Sequence, residues 1–322
     1  MDFKISLGNV SNSEELGDWY FDYSSVINYV QSGFYGSIDK NDIPLVDYDS
    51  LFKRNKWYFR NYKNTRFGVH YTPTTIAQYA FGLLYKYNRN GDKKKLNLFK
   101  KCADWFVENV KDKGNYGVWE HTWIEPVYDI KPPWISAMTQ GEAISLLLRA
   151  YQIFSESEYL YAAQKALNSF KETNIVYTDE NSNIWLEENP IAPSNHILNG
   201  FIFALLGLFD YYRIKKDKEC FYLWNEGIKT LEKNLHHYDS GYWSRYDLLF
   251  RRITSEVYHN IHIHQLKVLY NFTGLKVFYN FYKKWENYKK NKICYLKRKI
   301  NGRIYNRIIS KYFNKNFNIS RK

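Results

Sequence analysis

The stretch Glu187-Glu188-Asn189-Pro190-Ile191-Ala192-Pro193-Ser194-Asn195-His196-Ile197-Leu198-Asn199-Gly200 runs directly into the apolar segment Phe201 to Tyr212. Two adjacent carboxylates therefore sit in a proline-bounded loop immediately ahead of a helix that is apolar on all sides and so belongs in a core. Taken alone, the stretch has an ordinary reading. Ser194 or Asn195 caps the helix, the prolines hold the loop extended, and Glu187 and Glu188 are solvated. Whether the loop is more than that depends on what surrounds it.

The arrangement recurs along the chain. Pro73 opens a helix from its first turn, through Gln78 to Tyr85, and an amphipathic partner follows from about Lys95 to Val110 with Leu96, Leu98, Cys102, Trp105 and Phe106 on its inner face. Ser136 to Phe154 pairs with Glu158 to Glu172, Asn195 to Tyr212 with Lys218 to Leu235, and Glu256 to Phe272 with Leu275 to Tyr288. Gln78, Gln140, Asn199 and Gln265 mark the first helix of each pair at intervals of about sixty residues. A solenoid of such hairpins would have short, similar loops on both sides. Here the loop ahead of each first helix is long and rich in Gly, Pro, Trp and Tyr, as in Gly114 to Trp134 and Tyr238-Asp239-Ser240-Gly241-Tyr242-Trp243. Long structured loops on one side mark a functional face. The expected fold is mainly α, an α/α toroid (an incomplete α/α barrel of about four helical hairpins) over residues 57–285. A short β-containing N-terminal arm over 1–56 precedes it, and a basic amphipathic tail over 286–322 follows.

Composition agrees with a globular protein. Of 322 residues 45% are hydrophobic, enough for a sizeable core. The 31 Tyr and 10 Trp exceed what a core needs, and aromatic faces suit the apolar C–H surfaces of sugar rings. Cys102, Cys220 and Cys294 are odd in number and lack metal or redox spacing, which fits a reducing compartment. The first residues, Met1 to Gly8, carry no apolar signal core, and no window approaches the roughly 18 apolar residues of a membrane span. A cytoplasmic location is expected.

The net charge of +13 is concentrated at one end. From Lys283 to Lys322 there are 14 lysines and arginines against one acid, Glu286, leaving 32 of each sign elsewhere. Within the tail Ile293, Tyr295, Leu296, Ile300, Ile304 and Tyr305 interleave with the bases, which suits peripheral contact with an anionic membrane at its inner face, an acidic partner, or a solvated terminus. Nucleic acid is not expected, since no recognition motif accompanies the charge. The absence of a phosphate loop, nucleophile elbow or dinucleotide fingerprint argues against nucleotide chemistry, and neither a cofactor nor a metal is expected.

Several stretches are more specific. Trp134-Ile135-Ser136-Ala137-Met138-Thr139-Gln140-Gly141 through Tyr151, the Glu187 to Gly200 loop, Tyr246-Asp247-Leu248, Tyr258-His259-Asn260-Ile261-His262 and Ile76-Ala77-Gln78-Tyr79 together resemble, in the same order, the C-terminal catalytic domain of the D-glucuronyl C5-epimerases. Those enzymes convert D-glucuronate to L-iduronate in heparosan-type polysaccharides. The resemblance implies that Glu188, Tyr246 and Tyr258 are catalytic. Tyr71, just ahead of Pro73 and placed to line the cleft, is the fourth expected catalytic residue. Trp134, Gln140, Asn199, Arg245, Arg251 and His262 are the expected substrate-binding residues, and His264 is expected to be structural. Two positions depart from the animal enzymes: Asn189 stands where they have a further catalytic tyrosine, and Leu249 where they have an arginine. Arg245, Arg251 or Arg252 is then the candidate replacement cation. Their β-rich insertion after the Ile76 to Tyr79 helix is missing here, and no segment of the type of their membrane anchor is read.

C5 epimerisation removes a proton α to a carboxylate and returns one to the opposite face, so it needs two acid/base groups and neutralisation of the carboxylate. Tyrosine and glutamate serve when their environment tunes them. A polysaccharide lyase or uronyl hydrolase on the same toroid shares much of this chemistry, and a non-catalytic glycan-binding protein shares the fold. A glucuronate-containing polysaccharide is the expected partner, and a homodimer is compatible with the aromatic surface.

Overall fold

The computed structural model describes residues 15–34, 36–55, 62–302, 304 and 320–321. The β-like run Trp57-Tyr58-Phe59-Arg60 lies outside the described residues, as does most of the tail beyond residue 302.

The N-terminal arm folds as α1 (Ser24–Gln31), β1 (Gly36–Ile38), β2 (Pro44–Asp47), α2 (Tyr48–Arg54) and β3 (Val69–Tyr71). The strands form one antiparallel sheet in the order β1-β2-β3, with Val46 opposite His70 and Leu45 opposite Tyr71. Besides the expected strands, the arm thus carries two short helices.

Four hairpins follow: α3 (Pro73–Asn90) with α4 (Lys93–Asn109), α5 (Ala137–Phe154) with α6 (Ser157–Glu172), α7 (Leu198–Lys215) with α8 (Lys218–Asn234), and α9 (Glu256–Thr273) with α10 (Lys276–Lys290). The first helix of each pair is internal. In order, α3, α5, α7 and α9 pack side by side, each covered by its partner on the outside. This is an incomplete α/α barrel. The sequence dictates the two layers: every residue from Ala137 to Ala150 and from Leu198 to Tyr211 is buried, whereas α4, α6, α8 and α10 bury one stripe each. Where α5 and α7 cross, a Cβ on Gly207 would stand 2.4 Å from Gly141 Cα, so two glycines let the inner backbones meet. Turn chemistry separates the helices. Gly91 and Gly274 adopt the left-handed conformation after α3 and α9, and Asp92, Asp217 and Ser255 cap α4, α8 and α9.

The two ends of the barrel differ in chemistry. At the end where α5 and α7 finish, Arg149 and Asp210 form an ion pair of 2.7 Å with both side chains buried, and Arg149 also donates to the Gly17 and Asp18 carbonyls. The segment 15–23 closes this end. Trp19 stacks on Phe81 of α3 at 4.4 Å, and His264 of α9 bonds the Tyr20 carbonyl, so the arm spans the gap between the first and last inner helices. At the other end lie the long loops, with small hairpins β4 (Lys111–Asp112) with β5 (Gly117–Val118) and β6 (Val176–Thr178) with β7 (Ile184–Leu186).

Candidate active site

The loop after β7 is pinned on both sides by its backbone. Glu187 N–H donates to the Ile175 carbonyl, and the Glu187 carbonyl accepts from Ala137 at the start of α5. These bonds fix the next residue, half-buried Glu188, against the first turn of α7. There Asn199 Nδ2 donates to Glu188 Oε2 at 3.4 Å, and a Cβ on Gly200 would come within 2.1 Å of the same oxygen. The ordinary reading of the loop fails at two points. Glu187 is buried, with its carboxylate accepting from His196 N–H, and the residue preceding α7 is Ile197, with no side-chain cap; neither Ser194 nor Asn195 caps the helix. Leu198 N–H, at the helix start, is instead taken by the Tyr246 carbonyl at 3.1 Å.

That bond brings in the second element. Residues 244–254 fold back on themselves through the Arg245 to Ile253 bridge, and Tyr246 N–H donates to the Arg252 carbonyl. Tyr246 thereby faces Glu188, with its hydroxyl 3.4 Å from Oε1. Tyr258, in the first turn of α9, meets the Tyr246 ring edge-on at 5.0 Å. The structure therefore brings Glu188 and Tyr246, from the loops ahead of α7 and α9, together with Tyr258 of the first turn of α9.

A cation completes the group, and it is Arg252. Its guanidinium lies 4.7 Å from the Tyr246 ring centre and 4.9 Å from that of Tyr128, donates from Nε to Asp247 at 2.7 Å, and bonds the Tyr128 hydroxyl. Arg245 points away to the His237 carbonyl, and Arg251 is exposed, its left-handed φ of 53° turning the chain so that its successor faces inward.

The remaining expected residues divide clearly. Asn199 contacts Glu188, and its carbonyl accepts from Gln265 at 2.9 Å. Trp134 stacks on His121 at 4.0 Å and belongs to the apolar wall that includes Tyr128, Ile130 and Phe250. Gln140 is wholly buried and reaches the Trp119 carbonyl. His262 is buried against Ser244 and held neutral by desolvation, so it braces the hairpin. Tyr71 is not brought to Glu188. In β3 it alternates with His70, which faces Tyr48 and Thr122, and its own hydroxyl donates to Asp39 beside Trp105 on α4.

Three residues that sequence reasoning did not select join the site. Glu125, in the loop after Trp123, accepts from Tyr128 N–H, and its charge bears on Glu188. Glu142 of α5 is buried, with Gln78 Nε2 donating to it at 3.3 Å. Tyr48 stacks on Trp123 at 4.1 Å and lies close enough to Glu125 and Tyr258 to feel their charge. A glutamate between aromatics at Trp123-Ile124-Glu125 was the one visible signal among them.

The electrostatics raise the proton affinity of several of these groups. Burial pushes the Glu188 carboxyl up to about 8, with the nearby Glu125 raising it further and Arg252 and the Tyr246 hydroxyl opposing. Burial likewise raises Glu125 to about 7 and lifts Glu142 well above the usual carboxylate range. The Tyr246 hydroxyl is pushed well above its ordinary value by burial and by Glu188. An acid whose proton affinity lies near neutrality, hydrogen-bonded to a tyrosine beneath a fixed cation, can act as a general acid or base. Among the described residues, no group of three His, Cys, Asp or Glu is arranged to hold a metal ion.

Comparison with known proteins bears on this geometry. Residues 111–287 match the family model described as D-glucuronyl C5-epimerase C-terminus. The chain is 34% identical over 193 residues to a D-glucuronyl C5-epimerase of Caenorhabditis elegans, covering 53% of this chain and 31% of that protein. It thus spans about a third of the worm protein's length. An uncharacterized protein of Methanocaldococcus jannaschii is 30% identical over 241 residues, covering 68% of this chain and 77% of the relative. Among solved structures, a family 76 glycoside hydrolase (mannosidase) from Bacteroides thetaiotaomicron is similar with a TM-score of 0.38 and 16% identity, over 67% of this chain and 59% of that one.

Proposed function

The chain belongs to the D-glucuronyl C5-epimerase C-terminus family, and on that premise we propose that it is a uronate C5-epimerase, converting D-glucuronate to L-iduronate within a polysaccharide or its precursor. The observation that carries the reading is the Glu188 carboxyl, hydrogen-bonded to Tyr246 and facing the Arg252 cation. In this reaction a base removes the C5 proton, the bonding pair delocalises into the adjacent carboxyl group, and an acid on the opposite face returns a proton to C5. Glu188 and the Tyr246 and Tyr258 hydroxyls are the acid/base groups. Arg252, held by Asp247 and Tyr128, offsets charge on the substrate carboxylate as the enolate forms. It takes the place of the arginine that the animal enzymes carry where Leu249 stands. Trp123, only partly buried beside Glu125, offers an aromatic face to the sugar, backed by the buried Trp134 and Tyr128.

One observation favours a second reading. Glu125 is an additional carboxyl pushed up to about 7, and an acid so placed could protonate a leaving group at C4, which would make the protein a uronate lyase. The same experiment separates the two. The purified protein is incubated with heparosan and other glucuronate polymers in D2O and followed by NMR. Deuterium at C5 with new iduronate signals supports epimerisation, an unsaturated ultraviolet-absorbing product supports the lyase, and the absence of both on every polymer rejects each.

A further inference from the structure

After α10, residues 292–302 form a last helix, α11, whose apolar stripe faces away from the body. The inward face is tied down by Tyr295, Arg298 and Asn301. Tyr295 donates to Glu256 at 3.3 Å and meets the Trp243 ring, Arg298 lies over Trp243, and Asn301 donates to the Tyr242 hydroxyl. Ile293, Leu296 and Ile300 are spaced as neighbours on one face, about half a turn round from Tyr295 and Arg298, and Ile304 continues the row. They are 66, 57, 50 and 53% exposed. Lys292 and Lys299 flank the row on one side and Lys297 on the other. Four aliphatic side chains aligned in water, rimmed by bases, mark an interaction surface.

We propose that this face docks on an anionic membrane surface, the aliphatic row entering the boundary between headgroups and acyl chains while the lysines meet the lipid phosphates. The charge selects this occupant. Two copies joined through α11 would set 14 bases against 14, with one acid each from Lys283 to Lys322, whereas anionic lipid complements that charge. The position gives the docking a purpose that rests on the epimerase reading above. Since α11 packs on the hairpin that leads into Tyr246 and on the first turn of α9 that carries Tyr258, docking sets the cleft mouth beside the bilayer, where a uronate chain attached to lipid would be presented.

The test is flotation of the full chain with vesicles of phosphatidylcholine alone and of phosphatidylcholine mixed with phosphatidylglycerol. Binding is expected only with the anionic mixture and should weaken with salt. The double variant Leu296→Ser/Ile300→Ser, which keeps every charge, should bind about tenfold more weakly, and Lys292→Gln/Lys297→Gln/Lys299→Gln should lose binding as well. These positions are exposed, so both variants should keep the wild-type Tm and the exchange rate on soluble polymer. No flotation of the wild type, undiminished flotation of Leu296→Ser/Ile300→Ser, stronger binding to single-stranded RNA than to vesicles, or a dimer that this variant dissolves would each overturn the proposal. Flotation that follows the expected pattern without C5 exchange on any uronate polymer would support the docking and reject the reading of the site.

Discussion

The Tyr246 hydroxyl donates to Glu188 at 3.4 Å although the two residues belong to loops that precede different inner helices. The link is made by backbone rather than by the side chains themselves. The Tyr246 carbonyl takes the N–H of Leu198 at the start of α7, while Leu248 N–H donates to the Asn195 carbonyl, so the hairpin ahead of α9 is stitched along the loop ahead of α7. A change that loosens this seam should part Tyr246 from Glu188.

The pH dependence should follow Glu188. On the proposed mechanism its carboxyl, pushed up to about 8, ionises before it accepts the C5 proton, so the exchange rate should rise with pH and level off above about 8. Glu188→Gln should lower exchange by about 10²–10⁴-fold and abolish that limb. Stability should move in the opposite sense. Unfolded, the group titrates near 4.3, so between about 4.3 and 8 the folded state holds a proton that the unfolded state has lost, and stability falls as pH rises. Glu188→Gln should therefore gain in Tm relative to wild type from pH 5 to pH 8, measured by calorimetry. A constant difference would contradict the assigned burial.

Gly200→Ala separates placement from chemistry. The added methyl would fall 2.1 Å from Glu188 Oε2 and 2.6 Å from its Cβ, so the carboxyl must swing away and the loop backbone that carries Cβ must shift as well. Exchange should drop by at least about tenfold, and stability should fall by about 1–3 kcal/mol, the overpacking exceeding the gain of up to about 1 kcal/mol from alanine's better helix propensity. Retained activity with a large loss of Tm would show that the backbone, and not Glu188, yields.

Arg252 and Arg251 should behave differently despite their adjacency. Arg252→Lys removes the planar contact with Tyr128 and Tyr246 and one of the bonds that hold Asp247, so exchange should fall by about 10²-fold or more. Arg252→Met should also destabilise by about 3–5 kcal/mol, because Asp247 is fully buried and would lose its cation. Arg251→Lys should leave both rate and Tm close to wild type.

This contrast shows what the sequence carries and what it does not. Helical period, the proline at Pro73 and the glycines at Gly91 and Gly274 are local signals, so six of the eight paired helices can be read from the chain to within two residues at each end, whereas α3 runs five residues past Tyr85 and α7 starts and ends three residues later than expected. Glu188, Tyr246 and Tyr258 could be found because the resemblance aligns them. The choice among Arg245, Arg251 and Arg252 could not, since it depends on a left-handed residue at Arg251 and on strand alternation beside Tyr246. Tyr48 reaches the cleft only because the arm folds over Trp123, which is a tertiary event with no sequence period. The start of α7 was misread for a related reason: Ser194 and Asn195 have good capping chemistry, but the Tyr246 carbonyl supplies a bond at the helix start from a distant loop.

The tyrosines give the sharpest comparison, because phenylalanine removes one hydroxyl and little else. Tyr246→Phe should reduce exchange by about 10²–10³-fold, since it deletes both a proton carrier and the bond to Glu188, and Tyr258→Phe should produce a loss of similar size. Tyr71→Phe loses only an exposed bond to Asp39, so its exchange rate should stay within about twofold and its stability within about 1 kcal/mol of wild type. The measurement is single-residue C5 deuterium incorporation for the three variants at matched folding, verified by near-ultraviolet circular dichroism. If Tyr71→Phe were as impaired as Tyr246→Phe, the cleft would have to close around substrate by a movement of β3 that turns Tyr71 inward, and the site would include the arm. If neither Tyr246→Phe nor Tyr258→Phe were impaired, Glu188 and Arg252 would have to serve a different reaction.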